Sequence, residues 1–151
     1  MSAGTESVPV IVHAIQLAVA PVFLLTGVAS LLAVMANRLA RIIDRARHFE
    51  QAWQALDEAG RSAARTELGK LDRRRHLASW AINFSTSAAL LVCLVVTTLF
   101  ADAFFATDLK WLAGVLFSAA MLALIAGLAS FLREVYVATE TVRFNYPGEP
   151  R

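Results

Sequence analysis

Three stretches of the chain, residues 7–37, 77–101 and 111–132, contain no Asp, Glu, Lys or Arg. Each is longer than the roughly 20 residues an α-helix needs to cross the hydrocarbon core of a bilayer. The layout predicts an all-α membrane protein with three transmembrane helices. The chain has 151 residues, 58% of them hydrophobic, so three spans and one charged insert use up its length and leave a single membrane domain. The expected segments are span one at about 9–37, a helical hairpin at 38–76, span two at 77–101, a loop at 102–110, span three at 111–133 and a tail at 134–151.

The apolar run of span one passes Ala18-Val19-Ala20, which has the look of a signal-peptidase site. Residues 1–7 carry no Lys or Arg, Pro21 would follow the cut directly, and the apolar run continues to Ala36. Retention of the segment as a span is the expectation.

Charge then sets the topology. Ten of the fourteen Lys and Arg lie between Arg38 and His76, against six acidic residues in that segment. Basic residues crowded between two spans act first as a topology determinant beside anionic lipid, not as a nucleic-acid surface. The 102–110 loop holds one lysine with Asp102 and Asp108, and the N-terminal tail holds Glu6 and no basic residue. The rule that basic loops stay inside predicts the orientation of a multi-pass membrane protein. The hairpin and C-terminus would face the cytoplasm and the N-terminus the outside. Trp80, Trp111 and Tyr136 stand at span ends, where amphipathic rings prefer to sit.

The helical pattern does not stop at the end of span one. Leu39, Ile42, Ala46, Phe49, Trp53 and Leu56 recur at alternating spacings of three and four, the a/d pattern of a coiled coil. Asp57 to Gly60 is the first breaker, with Gly suited to a left-handed helix end. Ala64, Leu68 and Leu71 then lead into span two. This predicts a cytoplasmic antiparallel helical hairpin between spans one and two, reaching roughly 25–30 Å at 1.5 Å per residue. Folding about the turn sets Ala46 near Leu71, Phe49 near Leu68 and Trp53 near Ala64. Two helices alone bury little, so Phe49, Trp53 and Leu56 are candidates for an interaction surface with another subunit or partner.

The densest polar cluster combines Asn37, Arg38, Arg41, Asp44, Arg45 and Arg47 with Arg73, Arg74 and Arg75 across the hairpin. Guanidinium groups at a bilayer surface can grip lipid phosphate with two bonds, and Asp44 is the expected ion-pair partner for arginines on either leg. The competing reading is plain lipid anchoring that fixes orientation. In span one, His13, Gln16 and Pro21 are candidates for a polar track, since intramembrane polar groups are often functional and proline frees a backbone carbonyl. Small residues suggest packing faces at Ala20, Gly27 and Ser30, at Asn83, Ser87 and Thr97, and at Gly114, Ser118, Ala123 and Gly127. No phosphate-binding glycine loop, zinc-protease motif or nucleophile elbow occurs. His13, His48 and His76 share no metal-ligand spacing, and Cys93 is the sole cysteine, so neither metal nor cofactor is expected.

The runs Ala14-Ile15-Gln16-Leu17 and Pro21-Val22-Phe23-Leu24-Leu25-Thr26-Gly27, followed by Asn37-Arg38-Leu39-Ala40-Arg41-Ile42-Ile43-Asp44-Arg45-Ala46-Arg47, resemble the bacterial family catalogued as domain of unknown function 2721. The resemblance extends over most of residues 10–140, with the third span matching only as generic apolar sequence. It implies a small bacterial membrane protein with no established activity, and it carries no catalytic residue across. The expected function is non-enzymatic: a self-associating membrane protein whose basic hairpin contacts anionic lipid or a partner within a larger membrane complex. The alternative is a small oligomeric channel or transporter with its pore along span one.

Overall fold

In hydrocarbon every backbone N–H and C=O must find its partner inside the protein, and a long apolar sequence meets that demand within a single helix. The computed structural model describes residues 3–105 and 108–140. Among them it contains three α-helices and no strand: α1 (Ala3–Ala52), α2 (Glu58–Phe105) and α3 (Lys110–Glu140). Each holds a segment long and apolar enough to cross a membrane. The helix α1 runs unbroken through Pro21, whose missing N–H leaves the Leu17 carbonyl without its usual intrahelical donor. Large apolar side chains such as Phe23, Leu90, Leu122 and Leu132 stand exposed, as a lipid-facing surface requires. The helix α3 continues about two turns past 133, where the sequence suggested a tail. The rest of that tail, from 141, lies outside the described residues, as do positions 106–107 of the expected loop.

The turn between α1 and α2 falls earlier than the sequence suggests. The helix ends at Ala52, Trp53–Ala55 tighten into a 3₁₀ turn, and Leu56 is extended with φ −81° and ψ 139°. Asp57 then caps α2: its Oδ1 accepts a hydrogen bond from the Gly60 amide at 2.8 Å, and its carbonyl accepts one from the Arg61 amide. Gly60 is therefore not a left-handed terminator. It sits in the first turn of α2, where a Cβ would come within 2.8 Å of that same Oδ1. With α1 ending at Ala52, the leg beyond position 37 is about 22 Å long, shorter than expected.

Packing follows a seven-residue period. Among the described residues the buried positions are 14, 21, 28, 35 and 42 together with 18 on α1, 64, 71, 78, 85 and 92 together with 81, 88 and 95 on α2, and 113, 120, 127 and 134 on α3. Such a repeat keeps one seam of a helix facing its neighbour along its length. The helix α2 packs along both others, while α1 and α3 barely touch. On α2 and α3 the seams are mostly small: Ala78, Ala81, Ser85 and Ala88 are buried on α2, and Ala113, Ala120 and Gly127 on α3. The approach is closest at Gly127, where a Cβ would lie 2.6 Å from Ser85 Oγ and 3.2 Å from the Ala81 carbonyl oxygen. Ser85 turns its hydroxyl to Met35 Sδ on α1, 3.8 Å away. Most of the small-residue faces expected from the sequence lie elsewhere: Ala20, Gly27, Ser30, Asn83, Ser87, Thr97, Gly114 and Ser118 are exposed. Heptad register, not residue size, decides which face is buried.

In the hairpin, Ile42, Leu71 and Ala78 form a small core against which Leu39, Ala46 and Phe49 pack. That places Ala46 beside Leu71 as expected. Phe49, Trp53 and Leu56 are half-buried and do not form an open aromatic face. Arginines cover part of them, with Arg45 5.8 Å from the Phe49 ring centre and Arg65 5.5 Å from that of Trp53.

Candidate functional site

The arginine-rich end of the bundle gathers all three helices around one carboxylate. Glu134, at the last buried heptad position of α3, is 1% exposed. Arg74 of α2 donates to its Oε1 from Nε at 3.2 Å and Nη2 at 3.0 Å. Arg38 of α1 sets Nη2 3.1 Å from Oε2, off the hydrogen-bonding axis, so this second contact is Coulombic more than directional. Arg38 also lies over the Phe131 ring of α3 at 5.4 Å. Arg38 thus joins two helices that otherwise hardly meet.

Register explains the assembly. Arg74 heads the series 74, 81, 88, 95 on α2, and Glu134 ends the series 113, 120, 127, 134 on α3. Each seam of small residues therefore ends in a charge at the same end of the bundle. A carboxylate this deep is tolerable only with paired, hydrogen-bonded cations, and Arg supplies them from side chains still 22–29% exposed.

Beside this node opens a groove of about 460 Å³, lined by Arg38, Arg41, Arg45 and Arg74 over an apolar floor of Val34, Ile42 and Leu71. The spacing of three and four along α1 brings its three arginines to one side, and α2 closes the fourth corner. No carboxylate lines the groove. Among the described residues Arg41 and Arg45 have no ion pair, so four guanidinium charges against the single Glu134 carboxylate leave three in excess. Planar forks of this kind suit the oxygens of phosphate. Val34 belongs to the charge-free stretch of span one and is 52% exposed, so the groove continues into the exposed apolar surface of α1.

Other candidates lie outside this groove, with Arg47 and Arg75 lining a second cleft across the hairpin beside Glu50 and Asp72. Asn37, Asp44, Arg47, Arg73 and Arg75 are exposed. Asp44, the expected partner of the arginines, makes no ion pair among the described residues. Glu134 takes that role because a third helix reaches the cluster, which hairpin geometry alone does not reveal. Arg75 pairs with Asp72 on its own helix at 3.0 Å. At the other end, His13 lines a pocket of about 500 Å³ with Leu99, Asp102 and Lys110. Asp102 there accepts a hydrogen bond from the Leu109 amide at 3.0 Å. Of the polar-track candidates in span one, His13 and Gln16 lie on the exposed side of α1 and Pro21 is buried. No group of three His, Cys, Asp or Glu among the described residues is placed to hold a metal ion.

A family model described as protein of unknown function (DUF2721) matches residues 18–144, most of the chain. The chain belongs to this family. The match takes in all of α3 that reaches Glu134 and leaves out Ala14 to Leu17. No curated protein and no solved structure matches the chain. Membership in DUF2721 assigns no activity.

Proposed function

We propose that this DUF2721 protein is a non-enzymatic, self-associating scaffold of the bacterial inner membrane that holds phosphate-bearing anionic lipid in its arginine groove. The observation that carries the reading is the groove itself: four guanidinium groups, no lining carboxylate, an apolar floor, and an edge at the exposed Val34. A headgroup phosphate would enter sideways, with its acyl chains remaining against Val34 and the outer side of α1. Glu134 holds Arg38 and Arg74 in place, and Arg41 and Arg45 are left to meet the ligand. The basic hairpin, on the cytoplasmic side by the inside-positive bias of its loop, extends the same surface toward other members of an assembly.

The test is native mass spectrometry of the full chain in mild detergent, titrated with phosphatidylglycerol or with zwitterionic phosphatidylcholine. Retention of the anionic lipid alone is expected. Each arginine near an anionic surface contributes about 1 kcal/mol, so Arg41→Ala with Arg45→Ala should weaken retention by roughly thirtyfold while leaving the Glu134 node intact. Equal binding of both lipids, or an unaffected double variant, would overturn the reading.

A further inference from the structure

The lipid-facing side of α2 carries polar groups that the single chain does not satisfy. Asn83 lies four residues from Ser79 and Ser87 and three from Thr86, all on one helix face, and none of the four makes a hydrogen bond through its side chain among the described residues. Other hydroxyls in the spans find partners: Ser85 turns to Met35 Sδ, and the rest return to their own helix, Thr26 to Val22, Ser30 to Thr26, Thr97 to Cys93, Thr98 to Leu94, Ser118 to Gly114 and Ser130 to Ala126. Asn83 cannot do so as a hydroxyl does, and it is exposed six residues inside the charge-free stretch, about 9 Å along the helix. Acyl chains offer an amide nothing to bond with.

We infer that this face of α2, centred on Asn83 and continuing through Ser87, Leu90 and Leu94, is where a second copy of the chain docks. The amide selects the occupant. It is donor and acceptor at once, so an identical group is its complement. Two copies inserted in the same sense and related by a two-fold axis along the membrane normal bring the same residues together at the same depth. Asn83 then meets Asn83, and Thr86 and Ser87, on either side of it, flank that contact. The heptad seams at 78, 85, 92 and 81, 88, 95 are already occupied by α1 and α3, and the opposite side of α2 is the one left free. The inference rests on the self-association in the proposed function and is independent of the arginine groove.

The test uses the full chain in native membranes, with Cys93→Ala as background and single cysteines introduced as Leu90→Cys or Leu94→Cys on the face and Leu122→Cys on α3 as the exposed control. A short thiol-to-thiol cross-linker should give dimers at 90 and 94 and none at 122. Asn83→Val should reduce the cross-linked fraction on the order of tenfold and Asn83→Gln should restore it, given the usual strength of interhelical amide bonds. Lipid retention measured on the same samples separates the two proposals: Asn83→Val should keep the anionic lipid, and the Arg41→Ala, Arg45→Ala pair should keep the cross-link. Dimers at 122 equal to those at 90, no dimers at any position, or cross-linking insensitive to Asn83→Val would overturn the inference. So would Asn83-dependent retention of a lipid on a protein that stays monomeric.

Discussion

At the scale of residues, Glu134 is the position where a small change should cost most. Its carboxylate is nearly inaccessible and touches cations from two other helices. Removing one partner of a buried ion pair strands the other, at about 3–5 kcal/mol, whereas replacing the whole set with apolar residues of similar volume is often close to neutral. Glu134→Ala and Arg74→Ala should therefore each lower the unfolding midpoint in detergent strongly, and Glu134→Leu combined with Arg38→Met and Arg74→Met should recover most of the loss. Arg74→Lys should fall between, since an ammonium cannot reproduce the grip of Nε and Nη2 on one oxygen. A triple variant as unstable as the singles would show that the node does more than neutralise itself. Glu134 was legible in the sequence only to a reader following the period of seven from Ala113 through Ala120 and Gly127. Its position directly after an apolar stretch and Arg133 makes it look like the start of a solvated tail.

At the scale of elements, the decisive contact is α2 against α3 at Gly127. A methyl group there would collide with Ser85 Oγ and the backbone of Ala81, so the helices would have to separate. Overpacking of this kind typically costs about 1–3 kcal/mol. Gly127→Ala should destabilise by that much, while Gly27→Ala and Gly114→Ala, with nothing within 4 Å of the added carbon, should be neutral or slightly stabilising. Comparable losses at all three glycines, read from thermal unfolding, would rule out a specific close approach. Helix number, helix type and the continuity of α1 from span into hairpin were readable because charge-free length and helical period are local signals. The arginines of the groove were readable for the same reason, since Arg38, Arg41 and Arg45 share a face of one helix by spacing alone. The choice of buried face in the spans was not, because apolar residues cover every side of a helix in lipid and only tertiary register separates Ser85, buried, from Ser87, exposed. The turn was misplaced for a related reason: Asp57 works as a cap in α2, which makes Gly60 part of a helix and not its end.

At the scale of the whole molecule, the Glu134 node constrains topology more firmly than charge counting does. The carboxylate near the end of α3 meets Arg38 at the end of the first apolar stretch and Arg74 at the start of the second. The hairpin and the C-terminal end of α3 must then share one side of the membrane, with Lys110 and the start of α3 on the other. The proposed cytoplasmic placement of the hairpin rests on the ten basic residues between 38 and 76. The exposed rings agree, with Trp80 and Tyr136 toward the arginine end and Trp111 toward the other. Trypsin added to inverted inner-membrane vesicles should cut at the hairpin tip, where Arg65 is exposed and only a few residues past the turn. The products would be two membrane-embedded fragments. The same protease added to right-side-out spheroplasts should leave the chain intact. Cleavage at the tip in spheroplasts would reverse the orientation and place the groove against the outer leaflet. Its excess of positive charge would then face the leaflet poorer in the anionic lipid it is proposed to hold.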